Sequence, residues 1–323
     1  MMLPGPKFSI IIPVAPHREA AVLSSLERLN YHKDGYEVIV EEGYNPSLNR
    51  NRGVERARGE ILAFADDDCL VDKNWLTAAE AFFAHHPTVE VVGGPQLTPP
   101  SDGFFARVSG YVLASLWGAY RMSSRYQKGA TNLKATELNL TSANFFIRRR
   151  LFDKLAMFDS RLYPNEETEL LWRIKRTGGE IAYYPDVVVY HKRRPDFSSF
   201  VKQCFNYGAG RARQSRITGT LPGLGVIIPL IFLLNMALLP ILSQVHPLFW
   251  GPWAVYGLVT VLVSFKVSAH NRHPLAFVLL PFLFFTIHCA YPIGVVVETV
   301  RLLFSPRPAP GTHGKKKEPS IGA

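Results

Sequence analysis

Short apolar runs alternate with amphipathic stretches through the first part of the chain. Phe8–Val14 and Ile61–Ala65 are nearly continuous apolar runs of strand length, a pattern typical of strands that are buried on both faces of a parallel sheet. The full set of predicted strands is Phe8–Val14, Glu37–Val40, Ile61–Ala65, Val89–Val92, Ala143–Ile147, Glu180–Tyr184 and Val187–Tyr190. The alternation of strands with helices predicts an open α/β sheet, in which ligands bind outside the carboxyl ends of the strands.

The segments between these strands show helical spacing of apolar residues or helix-capping signals. The predicted helices are Ala20–Asn30, Asn49–Arg58, one capped by Asp72, one from near Arg148, one capped by Asn165, and the basic helix Phe197–Ile217. Phe104–Tyr120 is rich in Phe, Val, Leu and Trp and fits either a core helix or a helix lying at a membrane surface. We favour the surface interpretation.

The last third of the chain changes character. No Lys, Arg, Asp or Glu occurs between Arg216 and Lys266, and a second uncharged run extends from Pro274 to Val297. Spanning the hydrocarbon core takes about 20 apolar residues, so we predict spans near Leu221–Ser243, Trp250–Phe265 and Pro274–Val297. One such run could be a buried core helix, but three in succession argue against it. The predicted organisation is a catalytic domain over residues 1–215, a transmembrane region over 216–304 and a disordered tail over 305–323.

The charge distribution predicts how the chain lies in the membrane. The first residues show no secretory signal, so we expect a multi-pass protein of the inner (cytoplasmic) membrane with its catalytic domain in the cytosol. After two spans, the basic segment 266–273 would return to the cytosol, as the positive-inside rule prefers. A third full span would place the basic tail outside, whereas a segment broken by Pro281 and Pro292, or a re-entrant one, would return the tail to the cytosol. Both alternatives stay open.

The formal net charge of +10 and three cysteines narrow the function further. Basic residues concentrate next to the apolar runs, where they suit anionic membrane lipids. No nucleic-acid-binding motif accompanies them, so we expect no nucleic-acid partner. The cysteines have no paired spacing, so neither a disulfide framework nor a zinc site is predicted.

Three consecutive carboxylates, Asp66-Asp67-Asp68, follow the apolar strand Ile61–Ala65. Adjacent carboxylates repel one another unless a cation neutralises them, and oxygen ligands suit Mg²⁺ or Mn²⁺. A solvated turn is the alternative for an isolated triplet. Its position at the carboxyl end of a strand favours a metal site.

Several segments, in order, resemble the family 2 glycosyltransferases, which have the GT-A fold. The acidic passage FADDDC (64–69) resembles the family's strand that ends in a DXD motif. Other matching segments are FSIIIP (8–13), VIVEE (38–42), NRNRG (49–53), ARGE (57–60), SANFFIRR (142–149), NEETEL (165–170) with Arg173, and PDVVVYH (185–191). The resemblance covers about residues 8–215, and the following spans are most like members that build exopolysaccharide or lipid-linked glycans.

The resemblance implies a role for each matching residue. Asp68 binds a divalent cation, Mg²⁺ or Mn²⁺. Asp66 contacts the ribose or is a further metal ligand, and His191 is a third metal ligand or contacts the diphosphate. Glu167 is the general base, with Glu166 as the competing candidate, and Glu169 pairs with Arg173. Glu42, with Glu41, faces the base of the nucleotide. The full donor-binding set is Pro13, Glu41, Glu42, Arg50, Asn51, Asp66, Asp67 and Arg211. Glu stands at positions 42 and 167, where the family usually has Asp.

The resemblance implies an inverting glycosyltransferase that takes a nucleotide-sugar donor, which we expect to be UDP-linked. The expected acceptor is a lipid-linked or glycan molecule near the membrane, and membrane lipids are expected partners. Arg211 and Arg213 suit either a donor diphosphate or lipid headgroups. Three other hypotheses stay open: a polyprenyl-phosphate sugar synthase, a sugar nucleotidyltransferase and a non-catalytic membrane scaffold. The nucleotidyltransferase would need a Gly-rich loop after the first strand, and VAPHRE (14–19) contains none.

Overall fold

A computed structural model describes residues 5–155, 157–220 and 223–305. The predicted disordered tail lies outside the described residues from position 306 onward. The described chain forms two compact units, an α/β unit of residues 5–97 and 127–191 and a helical unit of residues 98–126 and 192–305. Segments 98–126 and 192–215, which the sequence analysis placed in the catalytic domain, therefore group with the apolar helices.

Nine strands form in the described part of the α/β unit. They are β1 Phe8–Val14, β2 Tyr36–Glu42, β3 Ile61–Phe64, β4 Cys69–Val71, β5 Val91–Gly93, β6 Gln96–Leu97, β7 Phe145–Arg148, β8 Ile181–Tyr183 and β9 Val189–His191. Six of them form one sheet in the order β2-β1-β3-β7-β5-β8. Only β7 in that sheet runs antiparallel to its neighbours. This arrangement confirms the predicted open α/β sheet.

The remaining strands form a small second sheet in the order β4-β9-β6. Strands β4 and β9 are antiparallel, and Cys69 lies directly opposite His191. The sequence analysis did not predict β4 or β6, because strands of three and two residues are too short to show periodicity. The small sheet matters for function because it joins the segment after the acidic triplet to the strand that ends in His191.

The helices follow the predicted pattern with shifted ends. They are α1 Val22–Leu26, α2 Pro46–Arg56, α3 Trp75–His85, α4 Phe104–Ala114, α5 Leu116–Ala119, α6 Arg150–Lys154, α7 Glu166–Arg176, α8 Phe197–Thr218, α9 Leu224–Val245, α10 Gly251–His270 and α11 Ala276–Leu303. Helix α1 is shorter than the predicted Ala20–Asn30, and the predicted helix over Phe104–Tyr120 is divided at Ser115.

Two apolar layers pack on the two faces of the large sheet. Ile10 and Ile12 of β1 face one layer and Ile11 faces the other, as the two-residue period of a strand requires. Trp75 of α3 is fully buried in the first layer, and its indole Nε1 donates to Asn144 Oδ1 at 2.8 Å. The buried Asn144 directly precedes β7 and thus holds α3 next to that strand.

In the helical unit, α4 is a core helix. Val108, Val112 and Leu113 are buried in a cluster with Phe200 of α8 and Leu280 of α11. The preference for a helix lying at a membrane surface is therefore wrong for α4, because its apolar face is covered by protein rather than available to lipid.

Three helical segments of this unit are long and apolar enough to cross a membrane. They are Leu224–Val245, Pro247–His270 and Ala276–Leu303, with mean hydropathies of 2.5, 1.6 and 1.9. Pro281 and Pro292 lie inside the continuous helix α11 and do not interrupt it, so of the two alternatives for this segment the one with a break at these prolines is not observed.

Helices α8 and α11 approach so closely that their backbones touch. A Cβ atom at Gly208 would lie 1.9 Å from the carbonyl oxygen of Tyr291, and one at Gly294 would lie 2.1 Å from that of Phe205. Small residues permit such close approach between helices. These two glycines therefore fix α8 alongside α11.

The glycine of the ARGE segment also has a packing role. A Cβ atom at Gly59 would lie 2.6 Å from Ser9 N and 2.7 Å from the carbonyl carbon of Phe8. The Ser9 hydroxyl accepts from Gly59 N and donates to Glu37 Oε1, and Glu37 also accepts from the backbone and side chain of Arg58. Gly59 thus lets the chain that enters β3 press against β1.

We predict that Gly59→Ala lowers the free energy of unfolding by roughly 1–3 kcal/mol, because the added methyl group overlaps backbone atoms that cannot move aside. The change should appear as a lower melting temperature of the purified protein. Gly129→Ala is the matched control, since its Cβ would meet only Tyr183 Cε1 at 3.9 Å. Equal melting temperatures for the two variants would contradict the packing role.

Candidate active site

The acidic triplet forms the turn that connects β3 of the large sheet with β4 of the small sheet. Arg18, in the loop after β1, is bound to two of its carboxylates. Its Nη2 atom lies 3.1 Å from Asp68 Oδ2 and its Nη1 atom 3.4 Å from Asp67 Oδ1. The sequence analysis did not single out Arg18, although a charged residue after the carboxyl end of the first strand was a usable signal.

His191 is held on the other side of Asp68. Its Nε2 atom lies 2.9 Å from Asp68 Oδ1, and its Nδ1 atom lies 2.7 Å from Gln96 Oε1. An amide oxygen only accepts hydrogen bonds, so Nδ1 carries a hydrogen and Nε2 is the nitrogen that faces Asp68. Gln96, another residue that the sequence analysis missed, therefore orients His191 toward the triplet.

Asp68, Cys69 and His191 together form a group that could hold a metal ion. One ligand atom from each lies within 4.8 Å of the others. Carboxylate oxygen and imidazole nitrogen fit Mn²⁺ better than Mg²⁺, which prefers oxygen ligands throughout. Cys69 is fully buried and offers a soft sulfur that neither ion favours. Asp66, predicted as a ligand, is not in this group and bonds to an arginine instead.

Burial and neighbouring charges act on the carboxylates of the triplet in opposite directions. Burial alone would raise the pKa of Asp68, but the bonded His191 ring and Arg18 outweigh it and hold that pKa well below its usual range. For Asp67, burial and the adjacent Asp68 raise the pKa against the effect of Arg18. Asp68 is therefore ionised at neutral pH, as a cation ligand must be.

Arg50 is a buried cation that connects four parts of the α/β unit. Only 2% of its surface is exposed. Its Nη2 atom lies 2.7 Å from Asp66 Oδ1 and 3.1 Å from the Ser142 hydroxyl, and its Nη1 atom lies 2.7 Å from Glu166 Oε1. The guanidinium also lies over the Phe158 ring, with 5.7 Å between its carbon and the ring centroid. Arg50 thus ties α2 to the acidic turn and to the first residue of α7.

The start of α7 presents two buried carboxylates. Asn165 precedes the helix with a φ of 91° and makes no capping side-chain bond, so it acts through its backbone and not as the predicted cap. Burial, with Glu167, raises the pKa of Glu166 against the effect of Arg50. Glu166 is committed to Arg50, which favours Glu167 as the base candidate. The predicted pair of Glu169 with Arg173 is confirmed at 2.8 Å.

The residues predicted for the base of the nucleotide lie at the carboxyl ends of β1 and β2. Pro13 is buried opposite Glu41 in the register of these strands. The buried Glu41 carboxylate is paired with Arg52 and Arg56 of α2, whereas Glu42 is exposed. Of the two glutamates, Glu42 is therefore the one whose carboxylate is open to a ligand.

Two other predicted donor-binding residues make contacts within the protein. The Asn51 amide donates to Phe158 O and accepts from Phe158 N, at 2.9 and 3.0 Å. These two bonds give Asn51 a structural role in holding the loop before α7. Arg211 belongs to the helical unit, where its Nη1 donates to Gln214 Oε1 at 2.8 Å. Donor binding by these residues stays a prediction.

Comparison with known proteins identifies the family. The family model described as "Glycosyltransferase like family 2" matches residues 6–209. The chain belongs to this family. Among curated relatives, the glycosyltransferase AglE of Haloferax volcanii is 25% identical over 180 residues, which cover 55% of this chain and 54% of AglE. The pre-mycofactocin glycosyltransferase of Mycobacterium tuberculosis is 24% identical over 168 residues, covering 52% of this chain and 34% of that protein.

The chain thus spans about half or less of the length of these curated relatives. A solved structure with a similar fold is the mannosyltransferase PcManGT from Pyrobaculum calidifontis, in complex with GDP-Man and Mn²⁺. It aligns with a TM-score of 0.52 and 18% identity, over 92% of this family 2 chain and 87% of PcManGT. The alignment confirms the GT-A fold expected from the sequence.

We predict that Arg50→Met lowers the free energy of unfolding by about 3–5 kcal/mol, because it leaves the buried Glu166 carboxylate and the partly buried Asp66 carboxylate without a cation. The melting temperature of the purified protein measures the effect. Arg52→Met removes an exposed partner of Glu41 and should cost less than about 1 kcal/mol. The double variant Arg50→Met, Glu166→Gln should recover part of the loss, and no recovery would show that Arg50 stabilises by packing alone.

We also predict that Arg18→Gln raises the affinity for Mn²⁺ about threefold to tenfold, because Arg18 and a divalent cation compete for the Asp68 carboxylate. Calorimetric titration of the full-length protein with Mn²⁺ measures this affinity without an activity assay. Arg28→Gln removes an exposed charge from the same unit and serves as the control. Weaker Mn²⁺ binding by Arg18→Gln would refute the competition.

Proposed function

We propose that this chain is an inverting glycosyltransferase that moves a sugar from a nucleotide-sugar donor to an acceptor at the membrane. The observation that carries the proposal is the buried bridge through Arg50. It fastens the acidic turn at Asp66 to Glu166, and so keeps the neighbouring Glu167 within electrostatic reach of the same arginine. This bridge supports a site in which the residues that hold the leaving diphosphate lie next to the residue that activates the acceptor.

Glu167 is the proposed general base. Its carboxylate takes the proton from the acceptor hydroxyl as that oxygen forms a bond to the anomeric carbon of the sugar. The bond from that carbon to the diphosphate breaks in the same displacement, and the nucleoside diphosphate leaves with the electron pair. One direct displacement inverts the anomeric configuration and needs no covalent enzyme intermediate. Glutamate and aspartate share this chemistry, so Glu at this position is compatible with the role.

Asp68 and His191 are the proposed ligands of a divalent cation, with Asp66 as the further ligand expected from the sequence. The donor set supports Mn²⁺ over Mg²⁺. A cation there stabilises the negative charge that develops on the leaving diphosphate. Gln96 orients the His191 ring, and Arg18 supplies a second positive charge beside Asp67 and Asp68.

The donor is proposed to be a nucleoside diphosphate sugar. PcManGT, whose fold is similar, was solved with GDP-Man and Mn²⁺, and the sequence favours a UDP-linked sugar. Glu42, at the exposed carboxyl end of β2, is the proposed contact for the base. A carboxylate accepts equally well from the N–H groups of uracil and of guanine, so both donor types belong in the first assay.

The acceptor is proposed to be lipid-linked or held close to the membrane, and the membrane helices support this. Three helical segments are long and apolar enough to span a bilayer, and we place the catalytic unit on the cytosolic side of the inner membrane. Direct transfer to polyprenyl phosphate is the second candidate. It differs in its product, which carries one phosphate, and so incubation with both acceptor types separates the two.

We predict that Glu167→Gln lowers sugar transfer by about 10²–10⁴-fold while donor binding stays unchanged, because only proton removal is lost. The assay uses the full-length protein in detergent with UDP- and GDP-sugars, Mn²⁺ and lipid acceptors. Asp68→Ala should instead weaken binding of Mn²⁺ and of the donor together. Glu167→Asp should retain part of the activity.

Two outcomes would overturn these assignments. Full transfer by Glu167→Gln would refute its role as base and point to Glu166. Absence of transfer from every donor to every acceptor, by a protein that still binds Mn²⁺ and nucleotide, would favour the non-catalytic scaffold.

A further inference from the structure

The helical unit contains a cavity of about 260 Å³ near the ends of three helices. Its walls come from the last turns of α8 and α11 and from the first turn of α9. Four polar side chains line it: Arg211, Ser215, Arg216 and Thr299. Apolar residues complete the wall, including Val226 and Val295. The cavity thus combines a cationic region with an apolar one.

The close approach of α8 to α11 at two glycines brings arginine side chains to the cavity wall. Because Gly208 and Gly294 let the two backbones touch, the polar second half of α8 runs beside the apolar α11. Arg216 then binds the end of α11, donating to the carbonyl oxygens of Leu302 and Ser305. These contacts hold the arginine side chain at the cavity wall.

Arg216 retains an unused donor. Among the described residues, its Nε atom is buried and has no hydrogen-bond partner, although its two terminal nitrogens donate to Leu302 and Ser305. A buried guanidinium N–H without a partner is costly, and an anionic oxygen in the cavity would satisfy it. The cavity lining contains Arg211 as a second guanidinium and no carboxylate among the described residues.

The wider charge distribution points to the same kind of ligand. Segments 98–126 and 192–306 contain 13 Lys and Arg but only three Asp and Glu. Their formal net charge is therefore +10, the same as that of the whole chain. Glu298 of α11 pairs with Arg213 of α8 and with Arg301. None of these three residues lines the cavity. The two lining arginines are therefore not neutralised by that carboxylate.

We propose that this cavity binds the phosphate headgroup of a membrane lipid. Arg211 and Arg216 would bind the phosphate oxygens, Ser215 and Thr299 would add hydroxyl donors, and the apolar wall would contact the start of the lipid chain. Arginine forks suit phosphate geometry, and the entry of α9 into its apolar run places the cavity near headgroup depth. For Arg211, this favours a lipid headgroup over the donor diphosphate that the sequence also suggested.

The cavity volume fits this occupant. The space of about 260 Å³ far exceeds the roughly 10–15 Å³ that one water molecule needs on this measure, so it admits a phosphate group together with part of an apolar chain. Inorganic phosphate would fill only the cationic part and leave the apolar wall uncovered. The proposal does not depend on sugar transfer, since its residues belong to the helical unit alone.

The test is lipid retention by the full-length protein, measured by native mass spectrometry from detergent. The probes are dioctanoyl phosphatidic acid, dioctanoylglycerol, which has the same chains without phosphate, and inorganic phosphate. Arg211→Gln should weaken binding of phosphatidic acid about tenfold or more, the scale of one charge-assisted hydrogen bond. Arg213→Gln is the matched control, because it removes the same charge from α8 outside the cavity lining and should change binding less than about twofold.

A second variant, Ser215→Leu, keeps the charge and fills part of the cavity, so it should also weaken binding while the melting temperature stays near that of the parent protein. Equal losses in Arg211→Gln and Arg213→Gln would show general electrostatic attraction and overturn the site. Equal binding of dioctanoylglycerol, or phosphate binding as tight as that of phosphatidic acid, would also overturn it. Glu167→Gln should bind phosphatidic acid normally, which separates this test from that of the catalytic proposal.

Discussion

The structure of the candidate site depends on one buried cation. Arg50 is almost completely enclosed and binds Asp66 at the end of one strand and Glu166 at the start of a helix more than a hundred residues later in the chain. Burying the charges of Arg50 and Glu166 is favourable only when they pair in good geometry, and the partly buried Asp66 gives Arg50 a second partner. The bridge therefore fixes where the acidic turn lies relative to α7, and with it the separation between the proposed metal ligands and the proposed base.

The second constraint is the small sheet. Direct pairing of Cys69 with His191 converts two distant segments into neighbours, so the orientation of His191 toward Asp68 is set by backbone hydrogen bonds and by Gln96. Side chains held by rigid strands need little reorganisation when a ligand arrives. The residues with the most direct chemistry are thus supported by main-chain structure rather than by flexible loops.

The sequence predicted the sheet well and its contacts poorly. Runs such as Phe8–Val14 show burial directly, since a strand covered on both faces carries few polar residues, and the one in this run, Ser9, has its hydroxyl hydrogen-bonded. The pairing of Glu169 with Arg173 was also predictable, because residues four apart on a helix are neighbours. Arg50 was predicted to bind the donor, yet the structure buries it between carboxylates. Only the fold brings Asp66, Ser142 and Glu166 together, and no local pattern reports such long-range partners. Strands β4 and β6 were missed for a similar reason, since pairing and not periodicity defines them.

Helices α8 and α11 approach closely at Gly208 and Gly294, and this contact constrains which apolar helices can follow α8. The family-model match ends at residue 209, so Gly208 belongs to the shared region whereas Gly294 lies beyond it. Because the backbones touch across residue 209, α11 packs specifically against α8 and could not be exchanged for just any apolar helix. A chimera that joins residues 1–209 to the membrane helices of another family member would need a small residue at the equivalent crossing point.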